Sequence, residues 1–199
     1  NLCIFAIRIG AAHCIFYFIG KSHAVPYNVD ALVFKFKNFV IPIDYDEFNP
    51  ETDFGTLDWG RGVWTYDNTW FWGSGNGVVE GKPFGFNIGY GFGDTSAATE
   101  NMLFYRGKAH KLSQVTFHIP TKDGKDDFLS PWKFTSDDGR FELDFVPVID
   151  RASCTDFKVL KSDQHQVFGR FSGTVLLDDG TPIQIRNLFG FAEKVENKW

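Results

Sequence analysis

Hydrophobic and polar positions alternate over short runs, and turn residues interrupt them about every ten residues, the signature of short antiparallel strands. Residues 1–20 read as a hairpin of two apolar strands flanking Gly10-Ala11-Ala12. Residues 21–30 form a loop around Pro26, and 31–41 (ALVFKFKNFVI) alternate as a strand. An acidic loop over 42–53, with Asn49-Pro50 as its turn signal, leads to a strand ending at Leu57-Asp58-Trp59. Val63 begins the next strand. Unbroken, that strand puts Trp64, Tyr66, Asn68, Trp70 and Trp72 on one face; with a tight turn at Asp67-Asn68, the same residues make an aromatic hairpin. Gly73 to Gly77 is expected to turn at Asn76-Gly77. In the strand over 82–93 (KPFGFNIGYGFG), glycines strip side chains from one face, and Phe84, Phe86, Ile88, Tyr90 and Phe92 point the other way.

The remainder continues in the same manner. Residues 94–98 are a small-residue loop, 99–105 a strand turning at Arg106-Gly107-Lys108, 114–120 a strand and 121–127 a polar loop. Strands 132–136 and 140–148 flank the turn Asp137-Asp138-Gly139, and 154–161 is a further strand. Residues 167–177 pass through Asp178-Asp179-Gly180 into 181–186, and the tail NLFGFAEKVENKW is either a last strand or a short helix. No long run follows the helical period, so the fold class is all-β: an antiparallel barrel, or alternatively a β-sandwich or jelly roll.

Composition sharpens this picture in one respect. The apolar fraction, 43%, is ordinary, but 23 Phe, 6 Tyr and 6 Trp stand against a single Met. Four of the six tryptophans fall within Gly55–Trp72 (GTLDWGRGVWTYDNTWFW). Aromatic residues in strands suit thick β-structure or an aromatic-lined cavity. The net charge of −5, without a basic cluster, argues against nucleic-acid partners. The three cysteines, Cys3, Cys14 and Cys154, match no metal or redox spacing. Free thiols in a reducing, cytoplasmic setting are expected, with a Cys3–Cys14 bridge as the alternative. The apolar run 2–19 is broken by Arg8, Gly10 and His13, is short of a membrane span and lacks a secretory leader. A start without Met marks the chain as a fragment or a processed product.

Several residues are candidates for chemistry. Asp58 and Arg61 lie beside Trp59 and Trp64, either as a polar pair orienting a ligand in an aromatic pocket or as a structural salt bridge. Asp58, Asp94, Glu100 and His165 are the candidate proton donors and acceptors, and two carboxylates flanked by Trp faces would also suit glycoside chemistry. His165 could act as a base or partner Asp163; a hydrogen-bonded histidine at a strand start is the plainer role. Arg170 between Gly169 and Phe171 is either exposed, paired with an acid such as Glu193, or holding an anion. Trp59, Arg61, Trp64, Trp70, Trp72, Asn87, Asn101 and Arg170 are the candidate ligand-binding residues. The histidines have no metal-ligand spacing, and GFNIGYGFGD is followed by no helix, so neither a metal nor a nucleotide cofactor is expected.

The segments DWGRGVW (58–64), GFGDTSAATENMLF (91–104), KSDQHQVFGRFSGTV (161–175) and GFAEK (190–194) resemble a family described as a domain of unknown function. The resemblance runs from about residue 53 to the end and is distantly similar to the lipocalin-like group containing carotenoid hydratase. It implies a lipocalin-like antiparallel barrel, often two in tandem, with an apolar interior, and transfers no catalytic residue. Residues 1–52 are then expected to be N-terminal strands and a loop left from a preceding barrel half, and 53–199 the barrel domain. The function expected is binding of a hydrophobic or lipid-like small molecule in an aromatic-lined cavity. The alternatives are a hydratase, cyclase or isomerase acting on an apolar substrate, and a carbohydrate-binding or -processing module. Whether the chain is an enzyme is left open by its residues.

Overall fold

A computed structural model describes residues 2–9, 12–19, 54–60, 65–157 and 159–198. The expectations for 21–30, 31–41 and 42–53 lie outside the described residues. Contacts divide the chain into two units, Asn1–Arg61 and Gly62–Trp199.

The first unit contains β1 (Leu2–Ile9), β2 (Ala12–Ile19) and β3 (Phe54–Gly60), antiparallel in that order. Ile9 pairs with Ala12, so the expected apolar hairpin is present. The register sets Cys3 opposite Phe18 and Cys14 opposite Ile7. The two cysteines are thus four positions out of step, about 13 Å along the strands, and a bridge between them is excluded because it needs Cα atoms within about 7 Å. The strand expected to end at Leu57-Asp58-Trp59 is β3, which pairs with β2.

The second unit is one large antiparallel sheet. Its strands are β4 (Asp67–Val79), β5 (Lys82–Tyr90), β6 (Met102–Tyr105), β7 (Lys108–Lys111), β8 (Val115–His118), β11 (Trp132–Ser136), β12 (Phe141–Asp156), β13 (Lys161–Leu176) and β14 (Pro182–Lys198). They run in the order β7-β6-β5-β4-β14-β13-β12-β11-β8. A separate small hairpin, β9 (Thr121–Lys122) and β10 (Lys125–Asp126), occupies the expected polar loop and turns at Asp123-Gly124, both at positive φ. The described residues contain no helix.

The large sheet curls into a half-barrel. Its β8 edge comes back towards β5 through side chains rather than a ladder. The Phe117 amide donates to the Tyr90 hydroxyl at 3.4 Å, and the Phe117 ring meets the rings of Phe71 and Tyr90 edge-on. Inside the curl, phenylalanine fills the space. Phe86, Phe134, Phe141, Phe145 and Phe171 are fully buried with Trp132, and Phe171 contacts Phe86 and Phe145 at centroid distances of 4.9 and 4.4 Å.

Two boundaries differ from expectation, and the tail takes one of its two expected forms. The chain does not turn at Asn76-Gly77: β4 continues to Val79 and turns at Glu80-Gly81, with φ of 51° and 71°. Gly75 and Gly77 serve close packing instead, since a Cβ at either would lie 2.7 Å from the Phe86 ring or the Leu188 methyl. Asp67 and Asn68 open β4, and Thr65 and Tyr66 before them lie outside the strand. Cys154 to Lys161 is not a strand of its own. Cys154 belongs to β12, Phe157 donates its amide to the Leu160 carbonyl at 2.8 Å, and Lys161 opens β13. The tail is a strand: β14 runs to Lys198, accommodating a register shift opposite Phe171/Gly173 with Asn187 at positive φ.

Gly169 is one of the tight points of this packing. A Cβ there would lie 2.5 Å from the Phe145 ring carbons and from the Val146 carbonyl oxygen. Gly169→Ala is expected to lower stability by about 1–3 kcal/mol through overpacking. Denaturant titration checks this, and a loss under about 0.5 kcal/mol would mean that Phe145 can move aside at little cost.

Candidate functional site

Strand alternation gives β4 two unlike faces. Phe71, Gly73 and Gly75 face the packed interior, where Phe71 stacks on Tyr90 at 4.6 Å. Asn68, Trp70, Trp72 and Ser74 therefore face outward. The neighbouring strands bring matching outward residues alongside: Phe191, Glu193, Val195 and Asn197 of β14, and Gln164, Gln166 and Phe168 of β13. Register pairs Asn68 with Asn197, Trp70 with Val195, Trp72 with Glu193, and Glu193 with Gln166.

This outward strip is polar and buried together. Glu193, Gln166 and Asn197 are 5%, 3% and 7% exposed, beside fully buried Phe168 and Phe191. Glu193 accepts from Trp70 Nε1 at 3.3 Å through one oxygen, and from Gln166 Nε2 at 2.9 Å and Gln164 Nε2 at 3.5 Å through the other. Trp72 Nε1 donates to Asn87 Oδ1 at 2.7 Å, and its ring meets Phe191 edge-on at 4.7 Å. The indoles of Trp70 and Trp72 are thus half-buried and fixed in orientation. Phe92, 39% exposed, lies edge-on to Trp70 at 5.1 Å.

Beside the indoles, the outward glycines of β5 are buried, and the Asn76 side chain fills the place that a Cβ at Gly85 would take. Gly85 and Gly89 face outward, and Asn87 is the side chain between them. A Cβ at Gly89 would lie 2.7 Å from the Phe71 carbonyl oxygen. The alternation that sends Phe84, Phe86, Ile88 and Tyr90 into the core leaves the glycines and Asn87 on the outward face.

The other sequence-derived candidates scatter. Asp58 is exposed in β3, opposite Ile15. Trp59 lies in β3 opposite Cys14, and its side chain, like Arg61 and Trp64, lies outside the described residues. Asp94 is exposed and accepts from the Ser96 amide at 2.9 Å; hydrogen bonds from Ser96 hold its carboxyl below the usual 3.8, which makes it an ionised turn cap rather than an acid. Glu100 is exposed, and its carbonyl accepts from Asn87 Nδ2 at 3.5 Å. Asn101 is buried as a structural tie: Oδ1 accepts from the Gly89 amide at 2.7 Å, and Nδ2 donates to the Ser113 carbonyl at 2.9 Å.

Arg170 is exposed and does not pair with Glu193. It lies opposite Phe189, donates to the Asn187 carbonyl at 3.2 Å and stands 5.7 Å from the Phe189 ring centroid. His165 lies in β13 on the other face. Its Nδ1 meets Asp150 Oδ2 at 2.7 Å, Asp163 stands further off at 3.8 Å, and the ring stacks on Phe128 at 3.8 Å. Next to it runs a chain of ion pairs. Lys161 bridges Asp163 and Glu196, and Lys194 bridges Glu196 and Asp126.

Sequence reasoning missed Glu193 as a neighbour of Trp70, and missed Gln166 and Asn197 altogether. The signal was the period-two run Phe189, Phe191, Glu193, Val195, Asn197 in a tail read as strand or helix. The family model described as Domain of unknown function (DUF2804) matches residues 18–199. The chain belongs to this family. No curated protein and no solved structure matches it. Among the described residues of this DUF2804 chain, no group of three His, Cys, Asp or Glu side chains could hold a metal ion, and no helix is long and apolar enough to cross a membrane.

The ion-pair chain has a pH signature. Hydrogen bonds from Lys161 and then Lys194 hold the Glu196 carboxyl below its ordinary 4.5. A depressed carboxyl stabilises the fold above its ordinary value, and that contribution disappears as pH falls through the depressed one. Thermal melting on acidification should therefore fall more steeply for the native chain than for Glu196→Gln. Parallel acid limbs would mean that the pairs add no stability.

Proposed function

We propose that the outward shelf of β4, β5 and β14 binds a hydrophobic or lipid-like small molecule. The observation that carries this reading is the pairing of two oriented, half-buried indoles with the exposed Phe92 ring beside them. Trp70 and Trp72 are held by hydrogen bonds to Glu193 and Asn87. Phe92 extends the apolar rim, and an exposed aromatic at such a position is the kind of surface a ligand covers. Rigid aromatic walls with few polar groups are the usual composition of a small-molecule site.

The shelf lies on the outside of the curl, because phenylalanine occupies the interior. The proposed ligand therefore lies against the sheet rather than inside it. Asn87 holds the Trp72 indole in place beside the bound molecule.

Binding should change tryptophan emission saturably when the chain is titrated with lipids or isoprenoids. Trp72→Phe keeps the ring stacking but loses the hydrogen bond to Asn87, and should weaken binding by about three- to tenfold. A flat response across a lipid and isoprenoid panel would sink the reading, and a saturable response to glycans instead would favour a carbohydrate module.

A further inference from the structure

We infer that the molecule held on this shelf carries a hydrogen-bond-donating, non-anionic head, an alcohol or an amine, at one end of its apolar body. The inference rests on the binding reading above and specifies its ligand.

The outward strip of β14 grades along its length. Phe191 packs against Trp72 and Phe168 at the apolar end. Glu193 follows, and Asn197 lies one further outward position beyond Val195. Glu193 and Asn197 are both more than nine-tenths buried.

Acceptors dominate the polar end. Both oxygens of Glu193 accept N–H bonds, from Trp70 and from the two glutamines. The Asn197 Oδ1 atom is buried with no hydrogen-bond partner. Its cross-strand neighbour Asn68 turns its amide nitrogen to the Thr65 carbonyl instead. The Trp70 N–H is already directed to Glu193. A buried acceptor without a donor is disfavoured, and a ligand that brings a donor removes the penalty.

An alcohol or amine meets this requirement, since its O–H or N–H donates to Asn197 Oδ1. An ether of the same length brings no proton. A fatty acid anion brings no proton either.

The test uses the full chain and four probes with one apolar body: dodecan-1-ol, dodecylamine, 1-methoxydodecane and dodecanoate, each followed by tryptophan emission. The alcohol or the amine should bind at least about tenfold more tightly than the ether and the carboxylate; the arm that prevails tells which head the site takes. Asn197→Leu should reduce the preference for the donor over the ether to below about threefold. Should that variant not fold, Asn197→Asp, which keeps the shape and the accepting oxygen and adds a charge, should raise dodecylamine affinity selectively. Equal binding of all four probes, or tightest binding of the ether or the carboxylate, overturns the inference and leaves the binding reading standing. Binding of none of them removes both.

Discussion

The register of β14 between β13 and β4 is the constraint on which the rest of the second unit depends. A strand has two faces, so a slip of one residue would exchange them along its whole length. In the observed register, Leu188 and Ala192 face the phenylalanine core, while Phe191, Glu193 and Asn197 line the outward strip. Both faces of β14 bury most of their side chains, so the wrong register would carry Glu193 into a core of phenyl rings. Gly190 enforces the fit, since a Cβ there would lie 2.5 Å from the Ser74 carbonyl oxygen. The long ladders with β13 and β4 make this alignment cooperative.

From that register follow the two roles that aromatic residues take. Phenylalanine, with no polar atom, fills the interior and packs edge-to-face, the favoured arrangement of aromatic rings. Trp70 and Trp72, each with an N–H to satisfy, sit half-buried on the outside where Glu193 and Asn87 accept. Trp132 is the exception inside: its Nε1 donates to the Phe128 carbonyl at 3.1 Å, which lets a tryptophan join the core. The polar partner decides which face an indole can occupy.

The charged groups divide in a similar way. Lys161, Lys194, Glu196, Asp126 and Asp163 form a chain of pairs on the same face as His165, while Glu193 on the opposite face takes N–H donors from neutral side chains. Adjacent residues in β14 thus serve unlike environments. His165 is drawn to Asp150 rather than Asp163 because β12 presents Asp150 across the ladder, whereas Asp163 lies two positions along the same strand.

Residue pattern alone determined the all-β class, the turn at Asp178-Asp179-Gly180, the inward set Phe84, Phe86, Ile88 and Tyr90, and the shared face of Trp70 and Trp72. Each is a matter of local period or turn chemistry, which neighbouring residues settle among themselves. The family signature was legible too, in the segments that turned out to build β13 and β14. The tertiary structure decided what those faces meet. Asn76-Gly77 has the chemistry of a turn, yet Phe86 and Leu188 needed the glycines in mid-strand, and packing prevailed over local preference. Asp58, Asp94, Glu100 and His165 looked alike as candidate acids and bases; only the fold set Asp94 on Ser96 and His165 on Asp150. Glu193, Gln166 and Asn197 carry no motif, and pairing across β13, β14 and β4 is what gathers them beside the tryptophans. Contacts between residues distant in sequence are specified by register, and register is a property of the assembled sheet.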